Sequence, residues 1–178
     1  MGVRAAPLPA LPENWASAAT VSADSTYSRD YAAAFVADGK VPVELSGQDL
    51  RQAWCVNGAT HRGGAELTFT WPAPVSVREL LYFGRTAWML SECWRRCEVW
   101  CDDDTQPALS AELAQRHGPQ RLTLPQARSA RTLRLRFTAS YGGANPGASE
   151  VMIFSEPVPE AALARFRPGF YESAAAGS

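Results

Sequence analysis

Glu66-Leu67-Thr68-Phe69-Thr70-Trp71 alternates polar and apolar side chains without a break. A period of two puts Leu67, Phe69 and Trp71 on one face of an extended chain and Glu66, Thr68 and Thr70 on the other. That is the pattern of a half-buried antiparallel strand, and a helix cannot use it. Three further stretches carry it: Val77 to Phe83, Cys97-Glu98-Val99-Trp100-Cys101, and Thr132-Leu133-Arg134-Leu135-Arg136-Phe137. Working outward, strands are expected at Ala18 to Ala23, Trp54, Glu66 to Trp71, Val77 to Phe83, Trp94 to Cys101, Gln120 to Leu124, Thr132 to Ser140 and Glu150 to Phe154. About eight antiparallel strands with little helix read as an all-β chain, a jelly-roll β-sandwich. Such a rigid body usually works through loops gathered at one end.

The 178 residues suit one domain, and at this size about 70% of the unfolded surface can be buried. Pro7, Pro9 and Pro12 mark residues 1–13 as an extended lead-in, so the sandwich runs over 14–155. Pro157 and Pro159 then open a tail over 156–178 with at most a short helix from Glu160 to Phe166 and a disordered end. Inside the domain a helical turn is expected around Tyr31 to Ala37, followed by a long irregular connection from Gly39 to Gln52. No apolar run approaches the eighteen or so residues that span a bilayer, and the first thirty residues lack a basic start before an apolar core. If the protein is exported, its signal lies outside this sequence.

A net charge of −1 argues against nucleic acid or an anionic membrane as partner. The cations are almost all arginine, Lys40 being the one lysine, and Arg134 with Arg136 reads as the solvated face of a strand. Asp102-Asp103-Asp104 reads as a hairpin-like loop tip. Of the cysteines Cys55, Cys93, Cys97 and Cys101, the last three stand about 13 Å apart from neighbour to neighbour if they share a strand, too far to bond or to share a zinc. Buried free thiols are expected, with a Cys55 bridge left open. The chain has no nucleophile elbow, no zinc-protease helix and no phosphate-cradling or dinucleotide glycine motif. His117, in a turn before a strand, reads as structural.

Taken in order, certain segments resemble a known family: Asp38-Gly39 ahead of Trp54; Glu66 to Trp71 with Pro74-Val75; Val77 to Leu80 leading into Tyr82-Phe83-Gly84-Arg85; Cys97 to Trp100 before an acidic turn; Ala130 to Phe137; and Ser149 to Phe154. This order is similar to that of the discoidin, or coagulation-factor C-type, domains, and nearest to the family 32 carbohydrate-binding modules with their galactose-binding-like fold. The resemblance covers 14–155; the order and spacing of the pieces carry it.

The resemblance implies a structural calcium between the loop opening at Asp38 and the strand beginning at Glu150. Matched onto this chain, Asp38 and Glu150 supply carboxylates and Phe35, Lys40 and Ser149 supply carbonyls. Gln52 stands where the family usually has a hydroxyl residue. The resemblance also implies a sugar site on loops at the same end. Arg85 matches the family's arginine and His61 its histidine by location, with Trp88 and Glu92 on the Arg85 loop and Tyr141 and Asn145 on the glycine loop. Sugars need this mixture, because their hydroxyls demand donors and acceptors while their C–H faces pack on rings. The expected function is a non-catalytic carbohydrate-binding module, extracellular or periplasmic, fused to or associated with a larger enzyme. The alternative is a discoidin domain without a sugar site that binds a protein or, less readily, a membrane through Ala87-Trp88-Met89-Leu90. Exposure of Trp88 beside Arg85 would separate the two.

Overall fold

The computed structural model describes residues 2, 4 and 6–166. The expected disorder at the C-terminal end falls outside these residues. Among the described residues seven strands form: β1 (Thr20–Ala23), β2 (Trp54–Cys55), β3 (Ala65–Gly84), β4 (Trp94–Cys101), β5 (Leu109–Glu112), β6 (Pro119–Ser140) and β7 (Gly147–Phe154). They hydrogen-bond in the order β2-β7-β3-β6-β4-β5, with β1 on the free side of β3's first half, and all pairings are antiparallel.

Two long strands make the sandwich. Ala65 to Thr70 of β3 pairs with Phe137 to Thr132 of β6, and Glu79 to Phe83 pairs with Thr123 to Pro119; the register slips between Thr70 and Val75 and again between Val77 and Glu79. Pro72 and Pro74 lie in the first slip, where a missing N–H removes a ladder bond and lets the strand bend. One leaf is therefore β1, the first half of β3, the second half of β6, β4 and β5. The other is the first half of β6, the second half of β3, β7 and β2. The strands expected separately at Glu66 to Trp71 and Val77 to Phe83, and at Gln120 to Leu124 and Thr132 to Ser140, are halves of continuous bent ones, and Leu109–Glu112 forms a strand that the sequence pattern did not mark.

Leu67, Phe69 and Trp71 point into a core with Leu133, Leu135 and Phe137, Val99, Leu80, Val151 and Ile153, all buried. Phe137 packs against both Trp94 and Trp54, with ring centroids 5.2 and 5.8 Å away, and against Tyr82 at 5.5 Å. The outward Arg136 bonds Glu66 at 3.0 Å, and Trp100 lies under Arg134 and Arg136. All four cysteines are free and buried. Cys97 and Cys101 flank Val99 as small apolar side chains, and burial pushes the thiols of Cys55 and Cys97 up to about 12. Residues 156–166 continue the folded body. Val158, Ala162 and Phe166, the last two on a 3-10 turn over Glu160–Phe166, cover Leu81, Phe83, Met152 and Phe154 on the outer face of the second leaf. That cover is why β7 is buried on both faces.

Candidate functional site

Three loops meet where β3 ends, before β4 begins and after β6 ends. The connection of residues 43–52 lies against the one after β3, since Leu45 N–H donates to Thr86 O (2.9 Å) and Gly47 N–H to Ala87 O (2.6 Å). The loop after β6 joins them when Gly143 N–H donates to Ser91 O (3.0 Å). At Gly143 a Cβ would stand 2.4 Å from Ser91 O, so this approach requires glycine.

Arg85 is the hub, with 4% of its surface exposed. Its Nε donates to Asp49 Oδ2 (2.7 Å), Nη2 to Asp49 Oδ1 (3.3 Å), and Nη1 to both Glu92 Oε2 (2.7 Å) and Asn145 O (3.1 Å). Asp49, wholly buried, also accepts from Trp88 Nε1 (2.9 Å) and from the Tyr31 hydroxyl (3.2 Å). The guanidinium lies 4.9 Å from the centre of the Tyr31 ring. Burial disfavours its charge, but the Asp49 bonds and the two carboxylates outweigh that and raise its pKa further. Burial raises Glu92 above the usual carboxylate range, with Arg85 opposing. Burial and the charge of Asp49 raise the Tyr31 phenol.

Above this network lies a cavity of about 290 Å3 lined by Tyr27, Tyr31, Cys55, Arg85, Trp88, Met89, Glu92 and Asn145. Trp88 is 52% exposed and Tyr27 55%, so the rim presents two aromatic surfaces to solvent while the floor is charged and buried. A larger and shallower hollow of about 680 Å3 lies at the far end of β4 around Asp102 to Asp104. No aromatic ring lines it, Asp102 is spent on the Arg131 and Thr132 amides, and Asp104 on Arg128.

Of the six residues expected to touch a sugar, the cavity gathers Arg85, Trp88, Glu92 and Asn145. His61 is at the same end, because Gly58 N–H of its loop bonds Ala144 O at 2.8 Å beside Asn145. Its ring turns inward on its own loop, with Nδ1 3.1 Å from Asn57 O and 3.0 Å from Thr60 Oγ1. Tyr141 is drawn off by a hydrogen bond from its hydroxyl to Leu113 O. Neither lines the cavity. His117 is half-buried and bonds Thr86 Oγ1 at 2.7 Å. The sequence reading left Asp49, Tyr27 and Tyr31 out of the site and had Met89 only in the contact loop of the alternative. The available signal was the length of the irregular connection itself, since a long loop without secondary structure inside a compact domain usually carries function.

The residues matched to a calcium site lie nearby. Glu150 on β7 is wholly buried and neither carboxylate oxygen has a hydrogen-bond partner. Burial, then the charge of Asp38, pushes it up to about 10, while the Gly39 and Val151 amides oppose this without closing an ordinary bond. Asp38 is itself raised by burial, and its Oδ1 accepts from Lys40 N–H at 2.9 Å. The 3-10 turn Ala33–Ala37, which contains Phe35, packs on β7. Ser149 spends its hydroxyl on Gly84 O, and Gln52 sits in the turn after Asp49. Among the described residues no three His, Cys, Asp or Glu side chains cluster as a metal site, so carbonyl oxygens would have to complete any shell around Glu150 and Asp38. Two orphaned, buried carboxylate oxygens that feel the charge of a second, solvent-exposed carboxylate are a donor set of the kind a hard cation takes.

Solved structures with the same architecture include a family 32 module, CpGH89CBM32-5 from Clostridium perfringens, in complex with GalNAc-β-1,3-galactose (TM-score 0.62, 13% identity, 80% of this chain and 99% of that one). The family 32 module of NanJ from C. perfringens, in complex with galactose, matches with TM-score 0.63 and 13% identity over 77% of this chain and 93% of that one. The chain has the fold of the family 32 carbohydrate-binding modules. A Streptococcus pneumoniae fucose-binding module shares this discoidin-like sandwich with TM-score 0.63 and 14% identity over 82% of this chain and 96% of that one. No protein-family profile and no curated protein sequence matches the chain.

Proposed function

We propose that this protein is a non-catalytic carbohydrate-binding module that tethers an attached or partner enzyme to glycans through the loops around Arg85. The single observation that carries the reading is the half-exposed Trp88 whose indole N–H is fixed by Asp49, the same carboxylate that holds Arg85. An aromatic face held rigid over a buried polar floor meets both surfaces of a pyranose. The fold supports the same reading, since the neighbouring structures were solved with galactose-type sugars. Asp49 and Glu92 are both ion-paired with one guanidinium, an arrangement that stiffens the floor of a binding site.

A hexose of about a dozen heavy atoms at about −0.3 kcal/mol per atom gains about −4 kcal/mol, a millimolar Kd. Affinity of that order serves to raise the effective concentration of a linked catalytic domain near a polymer. It also implies an extracellular or periplasmic setting, where such polymers are met. Calcium bound by Glu150 and Asp38, with carbonyls of Phe35, Lys40 and Ser149 and the Gln52 amide, would clip the 38–52 loop to β7. Its part is structural, holding in place the loop that delivers Asp49. Titration of a galactose and N-acetyl sugar panel against the parent and Trp88→Ala tests the site, since Trp88 is exposed enough to remove without unfolding. Equal binding by both proteins overturns it.

A further inference from the structure

We propose that the site takes glycosides bearing an aromatic substituent at the anomeric oxygen, the substituent sharing the apolar rim of Tyr27, Trp88 and Met89 with the sugar. The inference rests on the carbohydrate reading and adds the class of aglycone. It starts from what the cavity has left to offer a hydroxyl. Asp49 already accepts four hydrogen bonds, from Arg85 Nε and Nη2, Trp88 Nε1 and the Tyr31 hydroxyl. Arg85 directs four hydrogen bonds at Asp49, Glu92 and Asn145 O, so about one of its five N–H groups is left for a ligand. Asn145 Nδ2 is turned to Val56 O at 3.1 Å. The donors of this floor are therefore spent inside the protein. A sugar hydroxyl pushed onto it would lose water without gaining a partner, and that costs free energy. The group best suited to fill the cavity is an apolar one.

The walls answer to an aromatic ring. Tyr27 stands edge-on to Tyr31 with ring centroids 6.3 Å apart. Cys55 adds a thiol that burial keeps neutral, and Met89 a flexible thioether of the kind that packs on ring edges. Trp88 is backed by Gly47, where a Cβ would stand 3.5 Å from the indole. One indole face therefore rests on the 43–52 connection, and the other is open to a ligand. Among the described residues, Tyr27, Leu45, Leu50, Trp88 and Met89 are five of the six exposed large apolar side chains, and all five stand on the loops of this end; the sixth is Leu8 in the N-terminal lead-in. Apolar surface gathered in this way marks a contact site. Because it is continuous with the cavity, its occupant belongs to the same ligand as the sugar. Aromatic pairs gain more than their buried area alone supplies, which favours an aryl group over an alkyl chain here.

Calorimetric titration of the intact chain with methyl, butyl and 4-nitrophenyl galactosides and N-acetylgalactosaminides, in both anomers, holds the sugar and varies what it carries; 4-nitrophenol alone is the control. The 4-nitrophenyl glycoside of one series is expected to bind about tenfold more tightly than its methyl counterpart, a step of about 1.4 kcal/mol. The gain comes with a more negative heat-capacity change, the marker of apolar burial, and persists in raised salt. Met89→Ser should reduce the aryl advantage to less than about threefold. Tyr27→Ala should do the same, since the bond from Tyr27 N–H to Cys55 O at 2.8 Å does not need the ring. Should either variant not fold, the other decides, together with the heat-capacity change of the parent. An aryl advantage below about threefold in the parent, a butyl gain equal to the aryl one, or an advantage kept in both variants would overturn the inference and leave the carbohydrate site standing. Binding of 4-nitrophenol as tight as that of its glycoside, or binding by no glycoside, would remove both.

Discussion

Asp49→Asn tests the centre of the site with almost no change of volume. The native carboxylate takes four hydrogen bonds in a wholly buried position, two from Arg85 and one each from Trp88 and Tyr31. The amide keeps one acceptor oxygen and sets an NH2 group against the guanidinium. Breaking a buried pair from one side costs about 3–5 kcal/mol, chiefly because the remaining charge stays buried. Glu92 still holds Nη1 at 2.7 Å, so the loss should fall near about 3 kcal/mol. Urea unfolding measures it, with Arg85→Met and the double variant closing a cycle whose coupling is expected at about 2 kcal/mol. Glu160→Gln is the control, because its partner bond to Arg121 lies at the surface with Glu160 89% exposed, and such pairs contribute less than about 1 kcal/mol. Additivity of Asp49→Asn and Arg85→Met to within about 0.5 kcal/mol would refute the argument that the two act as one unit.

Other outcomes follow from the same geometry. Glu150→Gln should abolish any rise in melting temperature that calcium gives the parent over EDTA, while a rise preserved in the variant would remove Glu150 from the ion's shell. Sugar affinity should fall on acidification beginning above the ordinary carboxylate range, because burial raises Glu92 and its protonation removes one of the two anionic partners of Arg85; titrations from neutral to acid pH measure this, and a flat profile there would count against it. Phe137→Ala, emptying the space between Trp54, Trp94 and Tyr82, should cost about 3–5 kcal/mol in urea unfolding.

The sandwich was legible because alternation is a local signal and its cause is local: a pleat sends Leu67 one way and Thr68 the other whatever the partner strand. What joined the strands was less legible. Glu66 to Trp71 and Val77 to Phe83 read as two strands, yet β3 runs through Pro72 and Pro74 and pairs on both sides of them; whether a proline ends a strand or bends it depends on the partner, here β6, which is distant in sequence. The same holds for Val158, Ala162 and Phe166, whose burial follows from an uncovered apolar face on β3 and β7. In the candidate site, Arg85, Trp88 and Glu92 could be grouped from sequence because they share one short loop, the one on which Arg85 carries the family likeness. Asp49 was not, since an acid in an irregular loop looks solvated until a guanidinium 36 positions away is brought to it. His61 was matched by location, and location does not fix the rotation of a ring that its own loop can satisfy.

The loop that delivers Asp49 is held in a costly conformation, and that cost can be measured. Leu45 (φ 56°) and Arg51 (φ 59°) are both left-handed, a region that costs a residue with a Cβ about 1–2 kcal/mol. Each is pinned by a backbone bond: Leu45 N–H to Thr86 O at 2.9 Å and Arg51 N–H to Asp30 O at 3.0 Å. Leu45 is 63% exposed, so its side chain contributes little burial to offset the strain. Leu45→Gly removes the strain and adds about 0.5–1 kcal/mol of unfolded-chain entropy. The net should be a gain of up to about 1 kcal/mol in urea unfolding, with sugar affinity unchanged because the Thr86 bond uses the backbone. A loss of more than about 1 kcal/mol would show that the Leu45 side chain holds the loop. The three loops would then be joined by apolar contact, and the backbone straps to Thr86 and Ala87 would be secondary.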